Sequence, residues 1–131
     1  EGGQMAFERI WSHEGHPTAI VAMSDILAIG AMETAKTQQV QLPEELSIAG
    51  FEDLPEARHI RPALTTVRQP TEEKGRLAAE LLMASMEKRQ AATHHILPTE
   101  VIIRKSVVRP YQERIEQPKQ TVHKQKVEIT Q

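Results

Sequence analysis

The sequence predicts an α/β domain in which parallel strands alternate with helices. Two short apolar runs, residues 18–23 and 46–51, have the length and composition of buried parallel strands, and helical spacing follows the first of them. Both runs end in polar or acidic side chains: Ser24, Asp25, Glu52 and Asp53. Because a parallel α/β sheet binds ligands beyond the carboxyl ends of its strands, this stretch has the organisation of a small-molecule receptor.

The first half of the chain contributes two predicted helices around the first strand. Residues 4–12 have the spacing of a short amphipathic helix. A second helix follows the strand and extends to about residue 39, with Ser24 and Asp25 placed to cap its first turn. Gly30 costs about 1 kcal/mol relative to alanine in a helix, so it indicates close packing against another helix. The buried face of the second helix is predicted to contain Leu27, Ala31, Thr34 and Ala35.

The second half of the chain completes the predicted sheet. A loop with a short helix covers residues 54–61, and residues 64–67 form a third strand. A long helix begins with Thr71 as its N-cap and ends near residues 88–90. Residues 95–98 and 101–103 are predicted to be edge or antiparallel strands, since a proline fits poorly in a central strand. The long helix is predicted to bury a stripe that contains Leu77, Ala78, Leu81, Leu82 and Ser85.

Composition argues against several classes of function. The formal net charge is -2, whereas domains that bind nucleic acid electrostatically usually present a clustered basic face. The chain has no cysteine, which excludes disulfides, thiol catalysis and cysteine metal sites; a cytoplasmic location is the default expectation. No apolar run approaches the roughly 18 residues that span a bilayer, so no membrane association is expected.

Four segments occur together in an order that is typical of one family. They read PTAIVAMSD, LPEELSIAGFEDLP, RPALTTVRQP and ILPTEVIIRKS. Through them the chain resembles the C-terminal part of a LacI/GalR-family transcription regulator. The resemblance implies a type I periplasmic-binding-protein-like fold, with residues 1–108 forming part of the C-terminal, effector-binding subdomain.

The resemblance also implies partners. In that family two α/β subdomains clamp a sugar, nucleobase or similar effector, and an N-terminal helix-turn-helix binds operator DNA as a dimer. We therefore expect a small-molecule effector and a homodimer, with operator contact only through a helix-turn-helix that this sequence lacks. The opening residues, without an initiating Met, are expected to belong to the interior of a longer protein. Neither a cofactor nor an enzymatic activity is expected.

Two positions depart from the family's usual pocket. The family commonly has an Asn-Asp pair where this chain has Ser24 and Asp25, and an Asp where it has Glu52. A hydroxyl still hydrogen-bonds a ligand but lacks the donor and acceptor geometry of an amide. Ser24, Glu52 and Asp25 are the predicted ligand-binding residues. Each position also has an alternative role without a ligand. Ser24 and Asp25 could serve only to cap the helix, and Glu52 could form a surface ion pair. Asp53 is expected to have a turn or cap role.

A dimer interface is implied by the same resemblance. Ile26, Ile29 and Met32 would lie on the side of the second helix away from Leu27 and Ala31. This placement suggests that the helix has a second buried face. The alternative is that the apolar members belong to the ordinary core. The predicted interface residues are Ile26, Ile29, Met32, Glu56 and Ile60.

Other candidate sites have weaker support. His94 and His95 would point to opposite faces of a strand and have no third ligand nearby in the sequence, so no metal site is expected. Phosphate-binding loops and nucleophile elbows do not occur. Residues 109–131 are predicted to form a flexible polar tail. In this tail Ile115, Val122 and Ile129 are spaced by seven residues, as in a coiled coil. We expect no helical zipper, because Pro118 interrupts the pattern.

Two other interpretations stay open at this point. A periplasmic sugar receptor of a transporter would have the same fold and the same strand-end pocket. Sequence upstream of Glu1 would distinguish them, since a regulator carries a helix-turn-helix and a transport receptor a signal peptide. A truncated or frameshifted remnant is the third interpretation, in which apolar sheet edges left bare by missing strands would promote association.

Overall fold

The structure, a computed structural model, describes residues 1–87 and 94–109. The tail predicted for residues 109–131 lies outside the described residues, except for Arg109. In chain order the elements are α1 (Gly2–Trp11), β1 (Ala19–Val21), α2 (Asp25–Thr37), β2 (Ser47–Glu52), α3 (Pro55–His59), β3 (Thr65–Arg68), α4 (Thr71–Met86) and β4 (Glu100–Ile102).

The described strands form one mixed sheet in the order β1-β2-β3-β4. β1, β2 and β3 run parallel, with Ile20 opposite Ile48 and Phe51 opposite Val67. β4 runs antiparallel to β3. The predicted α/β class with parallel strand–helix units is therefore confirmed, as is the antiparallel final strand. The strand predicted at residues 95–98 is wrong, because residues 94–99 have no regular structure.

The core lies where α2 packs on the sheet and α1 packs on α2. Helical spacing explains which face of α2 turns inward, since residues three or four apart share a side. Ala28, Met32 and Ala35 are each fully buried on that side. The buried hydrophobic residues are Phe7, Ala28, Ala31, Met32, Ala35, Val40, Leu46, Ile48, Ala57 and Leu64.

Two glycines allow α1 and α2 to cross at close range. A Cβ on Gly3 would lie 2.2 Å from the carbonyl oxygen of Leu27, which is closer than any real contact. A Cβ on Gly30 would lie 3.3 Å from the Cα of Gly3. The close helix packing predicted from Gly30 is therefore confirmed, and its partner is α1.

The predicted burial of α4 is wrong. None of its described residues is buried, and Leu82 is 62% exposed. The amphipathic spacing marks a face that can be buried, but no element within residues 1–87 and 94–109 covers it. The helix also begins differently: Pro70, not Thr71, occupies the N-cap position, and no side chain caps the first turn.

β1 is also more exposed than its apolar sequence predicts. Val21 is 78% exposed and Met23, just beyond the strand, is 86% exposed. The reason is position, since β1 is the outer strand of the sheet in the described part of the chain. An apolar run predicts that a strand can be buried on both faces, but it does not say where that strand lies in the sheet.

The segment after β4 is attached to the sheet by a buried serine. The Ser106 hydroxyl donates to the Ile48 carbonyl at 2.5 Å and accepts from the Thr65 N–H at 2.8 Å. The Ile48 N–H in turn donates to the Ser106 carbonyl at 2.9 Å. Ser106, the last residue of the ILPTEVIIRKS segment, therefore ties β2 and β3 together.

We predict that Gly3→Ala destabilises the chain by at least about 2 kcal/mol, because overpacking against backbone cannot be relieved by a side-chain rotation. Gly75→Ala is the matched control: it is also helical, and its Cβ would meet nothing within 4 Å. That substitution should be neutral or stabilise by up to about 1 kcal/mol, from helix propensity alone. Urea unfolding followed by circular dichroism measures both, and equal effects would contradict the proposed crossing.

Candidate functional site

Asp25 connects the three parallel strands from inside the protein. It follows β1, has no exposed surface, and accepts the Thr66 hydroxyl of β3 at 2.5 Å on Oδ1. Its Oδ2 accepts the Leu54 N–H, beyond β2, at 2.8 Å. A Cβ on Gly50 would lie 2.2 Å from Oδ1, so only glycine leaves room for the carboxylate. Both oxygens are thus engaged by the chain's own donors, and a ligand contact for Asp25 stays a prediction.

Ser24 lies beside Asp25 at the end of β1 and caps α2. Its hydroxyl accepts the Leu27 N–H at 3.3 Å, and its extended backbone is typical of an N-cap residue. The side chain is only partly buried. The capping role is therefore confirmed, and the hydroxyl keeps a surface from which it can also donate to a ligand.

Glu52 and Asp53 form a strained turn at the end of β2. Their φ angles are 119° and 57°, both in the positive region that non-glycine residues rarely adopt. The turn is held by neighbours, because the Asp53 N–H donates to the Thr66 hydroxyl at 3.4 Å and the Leu54 N–H donates to Asp25. Glu52 itself is exposed. Strain of this kind costs about 1–3 kcal/mol and is typical of functional sites.

Asp53 is the centre of an arginine cluster, a role that the sequence alone did not indicate. Its side chain is 2% exposed and accepts from Arg68 Nε at 2.8 Å, Arg58 Nη2 at 3.3 Å and Arg104 Nη2. These arginines come from α3, β3 and the segment after β4. The three arginines are 5, 15 and 51 residues away from Asp53 in the sequence. No sequence motif with such spacing predicts that their side chains contact one carboxylate.

The cluster lowers the pKa of Asp53 to about 2. Burial alone would raise this pKa, but the hydrogen bonds from Arg104 and Arg68, followed by that from Arg58, outweigh burial. The same pairing raises the pKa of Arg68. Asp53 is therefore a fixed negative charge at the carboxyl edge of the sheet, next to the exposed carboxylate of Glu52.

The predicted dimer residues fall into two groups. Ile26 is 61% exposed, whereas Ile29 and Ile60 are partly buried and pack against the core. Met32 is completely buried in the chain's own core, so its assignment to an interface is wrong. Helical spacing explains the error: Met32 shares the inward side with Ala28 and Ala35. A surface groove of about 380 Å³ is lined by Ile29, Glu33, Pro55, Glu56, His59 and Ile60.

A second groove, of about 550 Å³, lies at the opposite end of the sheet. It borders the amino ends of β1 and β2 at Thr18 and Ser47, where Trp11 stacks on His16 with ring centroids 4.3 Å apart. His16 itself is exposed, and one face of its ring packs on the indole. Within the described ranges no group of three or more His, Asp or Glu is placed to hold a metal ion.

The parallel sheet with polar groups at its carboxyl edge agrees with the family that the sequence matches. Residues 2–107 match the periplasmic binding protein-like domain. A crystal structure of a LacI family transcriptional regulator from Mycobacterium smegmatis superimposes with a TM-score of 0.74 and 31% identity, over 82% of this chain and 41% of that one. The chain therefore contains a periplasmic binding protein-like domain.

Curated relatives narrow the assignment to one family. The lactose operon repressor of Rhizobium radiobacter is 34% identical over 84% of this chain and 97% of its own length. The HTH-type transcriptional repressor CytR of Escherichia coli is 36% identical over 81% of this chain. The chain belongs to the LacI family. It spans 31% of the length of CytR and 25% of the ribose operon repressor of Haemophilus influenzae.

None of the described helices is long and apolar enough to cross a membrane.

We predict that Asp53 makes the free energy of unfolding decrease at acidic pH. Its pKa lies below its ordinary value of 3.8 in the folded chain, so its contribution is fully present above about pH 4 and is lost as pH falls toward about 2. The expected loss is about 2 kcal/mol. Urea unfolding across this range measures it.

Asp53→Asn should remove this part of the acid dependence and lower stability at neutral pH, because Arg104 loses its charged partner. Glu100→Gln is the control: its carboxylate is 66% exposed and pairs with Arg68, and exposed pairs contribute about 0–1 kcal/mol. An unchanged acid profile in Asp53→Asn would contradict the assignment.

Proposed function

We propose that this chain is the effector-sensing part of a DNA-binding transcriptional repressor that responds to a sugar or related small metabolite. The observation that carries the proposal is the strained, exposed Glu52 turn, held at the carboxyl ends of the strands where α/β sheets bind ligands. The relatives support it, since CytR, the lactose operon repressor and the ribose operon repressor are all regulators. They favour a regulator over a periplasmic transport receptor.

In this proposal, Ser24 and Glu52 contact the effector. The Glu52 carboxylate accepts hydrogen bonds from ligand hydroxyls, and the Ser24 hydroxyl donates or accepts at the adjacent strand end. Asp25 holds the two strand ends together, because its Oδ2 fixes Leu54 directly after the turn. The described residues form one side of a cleft. The second side would come from another subdomain of the full-length protein.

Homodimerisation is the second part of the proposal. Ile29, Ile60 and the charged Glu56 line the surface groove between α2 and the end of α3. Ile26, which is 61% exposed, precedes Ile29 by three residues on α2. An isologous interface would place this surface against its own copy. The exposed apolar side chain of Ile26 would then be covered on both subunits. Met32 is not included, since the core already buries it.

Repression would follow from coupling between the effector and the dimer. Closure of two subdomains on an effector changes their relative orientation, and a dimer converts that change into a different separation of its DNA-reading domains. Operator contact belongs to a helix-turn-helix outside this chain. We propose a cytoplasmic regulator without cofactor or catalytic activity, in line with the regulators to which it is similar.

We predict that Glu52→Ala in the full-length protein weakens effector binding at least about tenfold, because a charge-assisted hydrogen bond contributes about 1.5–3 kcal/mol. Calorimetry with a sugar panel that includes ribose and lactose measures the affinity. Glu14→Ala is the control, since Glu14 is an exposed acid in the turn after α1. Equal affinities for the Glu52 variant and the unsubstituted protein would overturn the pocket assignment.

We predict that Ile26→Lys weakens the dimer at least about tenfold in sedimentation velocity, because burying an isoleucine contributes about 1.5–3 kcal/mol on each subunit. Met5→Lys is the matched control: Met5 is 68% exposed but lies on α1. If Met5→Lys dissociated the dimer and Ile26→Lys did not, the interface would lie on another face.

A further inference from the structure

The chain leaves the sheet and returns to it at one place. β3 ends at Arg68, α4 follows, and β4 begins at Glu100, which is the register partner of Arg68. The two side chains are joined, because Arg68 Nη1 donates to Glu100 Oε2 at 2.9 Å. None of the described residues of α4 is buried. The point at which the chain leaves the sheet toward α4 therefore lies at this pair.

Asp53 ties this exit point to the rest of the sheet. Its Oδ2 accepts from Arg68, the last residue of β3, and its Oδ1 accepts from Arg104, which follows β4. Arg104 is itself anchored, since its backbone N–H donates to the Thr65 hydroxyl at 2.9 Å and its guanidinium donates to the Leu64 carbonyl at 2.7 Å. One buried carboxylate thus holds both the departing and the returning strand.

The same residue also fixes the turn that presents Glu52. Asp53 has a φ of 57° and follows Glu52 with a φ of 119°, a pair of conformations that persists only when its surroundings hold it. The side chain of Asp53 provides such a hold through three arginines. Arg68 precedes the first residue of α4 by three positions, so a movement of Arg68 would act through Asp53 on the backbone next to Glu52.

We propose that Asp53 is a positioning residue that couples the conformation of the Glu52 turn to the direction in which α4 leaves the sheet. The proposal rests on the proposed function only in treating Glu52 as the effector contact. Coupling of this kind is reciprocal. A ligand that fixes the conformation of the Glu52 turn restrains the direction of α4, and restraint of α4 raises the affinity of the turn for the ligand. Asp53 acts through Arg68 and the backbone and does not touch the ligand.

A distance measurement on this chain tests the coupling without any ligand. The sequence has no cysteine, so Gln38→Cys on the body and Ala79→Cys on α4 take spin labels selectively. In pulsed electron–electron resonance, Asp53→Asn should shift or broaden the interlabel distance distribution. A second pair within the body, Arg9→Cys with Gln38→Cys, should keep its distribution.

Glu80→Gln is the matched control variant. It removes an ion pair of 2.6 Å between Arg76 and Glu80, which lies within α4 and away from its exit. Its distribution should match that of the unsubstituted chain. If Asp53→Asn does not fold, Arg68→Gln replaces it, because that variant removes the tie to the exit but leaves Arg104 on Asp53; the same broadening is expected.

Two results would overturn the proposal. One is an unchanged body-to-α4 distribution in a folded Asp53→Asn or Arg68→Gln chain, which would leave the cluster a stabilising role only. The other is equal broadening of both label pairs, which would indicate general loosening of the sheet. Because the measurement uses no effector, a failure of Glu52→Ala to alter effector affinity would count against the proposed function and not against this coupling.

Discussion

The carboxyl edge of this sheet depends on one buried group, the carboxylate of Asp25. It has no exposed surface and accepts hydrogen bonds from β3 and from the chain beyond β2. Removing a carboxylate from water is costly unless its oxygens are hydrogen-bonded, so these partners must be present together. The requirement explains why Gly50 lies opposite, where a Cβ would collide with the carboxylate.

The backbone next to this buried group is strained, and charged side chains cluster there. Glu52 and Asp53 adopt backbone conformations that side chains disfavour, and the hydrogen bonds of Thr66 and three arginines hold them there. The site thus has two layers. Buried contacts hold the backbone of the turn, and this backbone leaves Glu52 exposed at the surface. Such rigidity suits ligand recognition, because less conformational freedom is lost on binding.

Exposed apolar surface is the other common feature of the structure. Val21 on β1, Ile26 on α2 and Leu82 on α4 are all more than half exposed. Scattered exposed hydrophobics are ordinary, but these lie on element faces whose sequence pattern is that of buried surface. The chain spans a quarter to a third of the length of the ribose operon repressor and CytR. The proposed dimer and second subdomain would supply partners for these faces.

The sequence by itself determined the fold class, the order of the elements, the crossing at Gly30 and the capping role of Ser24, because periodicity, glycine and caps act within a few residues. Tertiary structure alone decided which predicted faces are covered: Met32 entered the core and α4 stayed exposed. The tertiary structure also decided that Asp53, which the sequence predicts to be a turn or cap residue, pairs with arginines up to 51 residues away. Local patterns record what a segment can bury or bind, whereas partners distant in sequence are brought together only by the folded sheet.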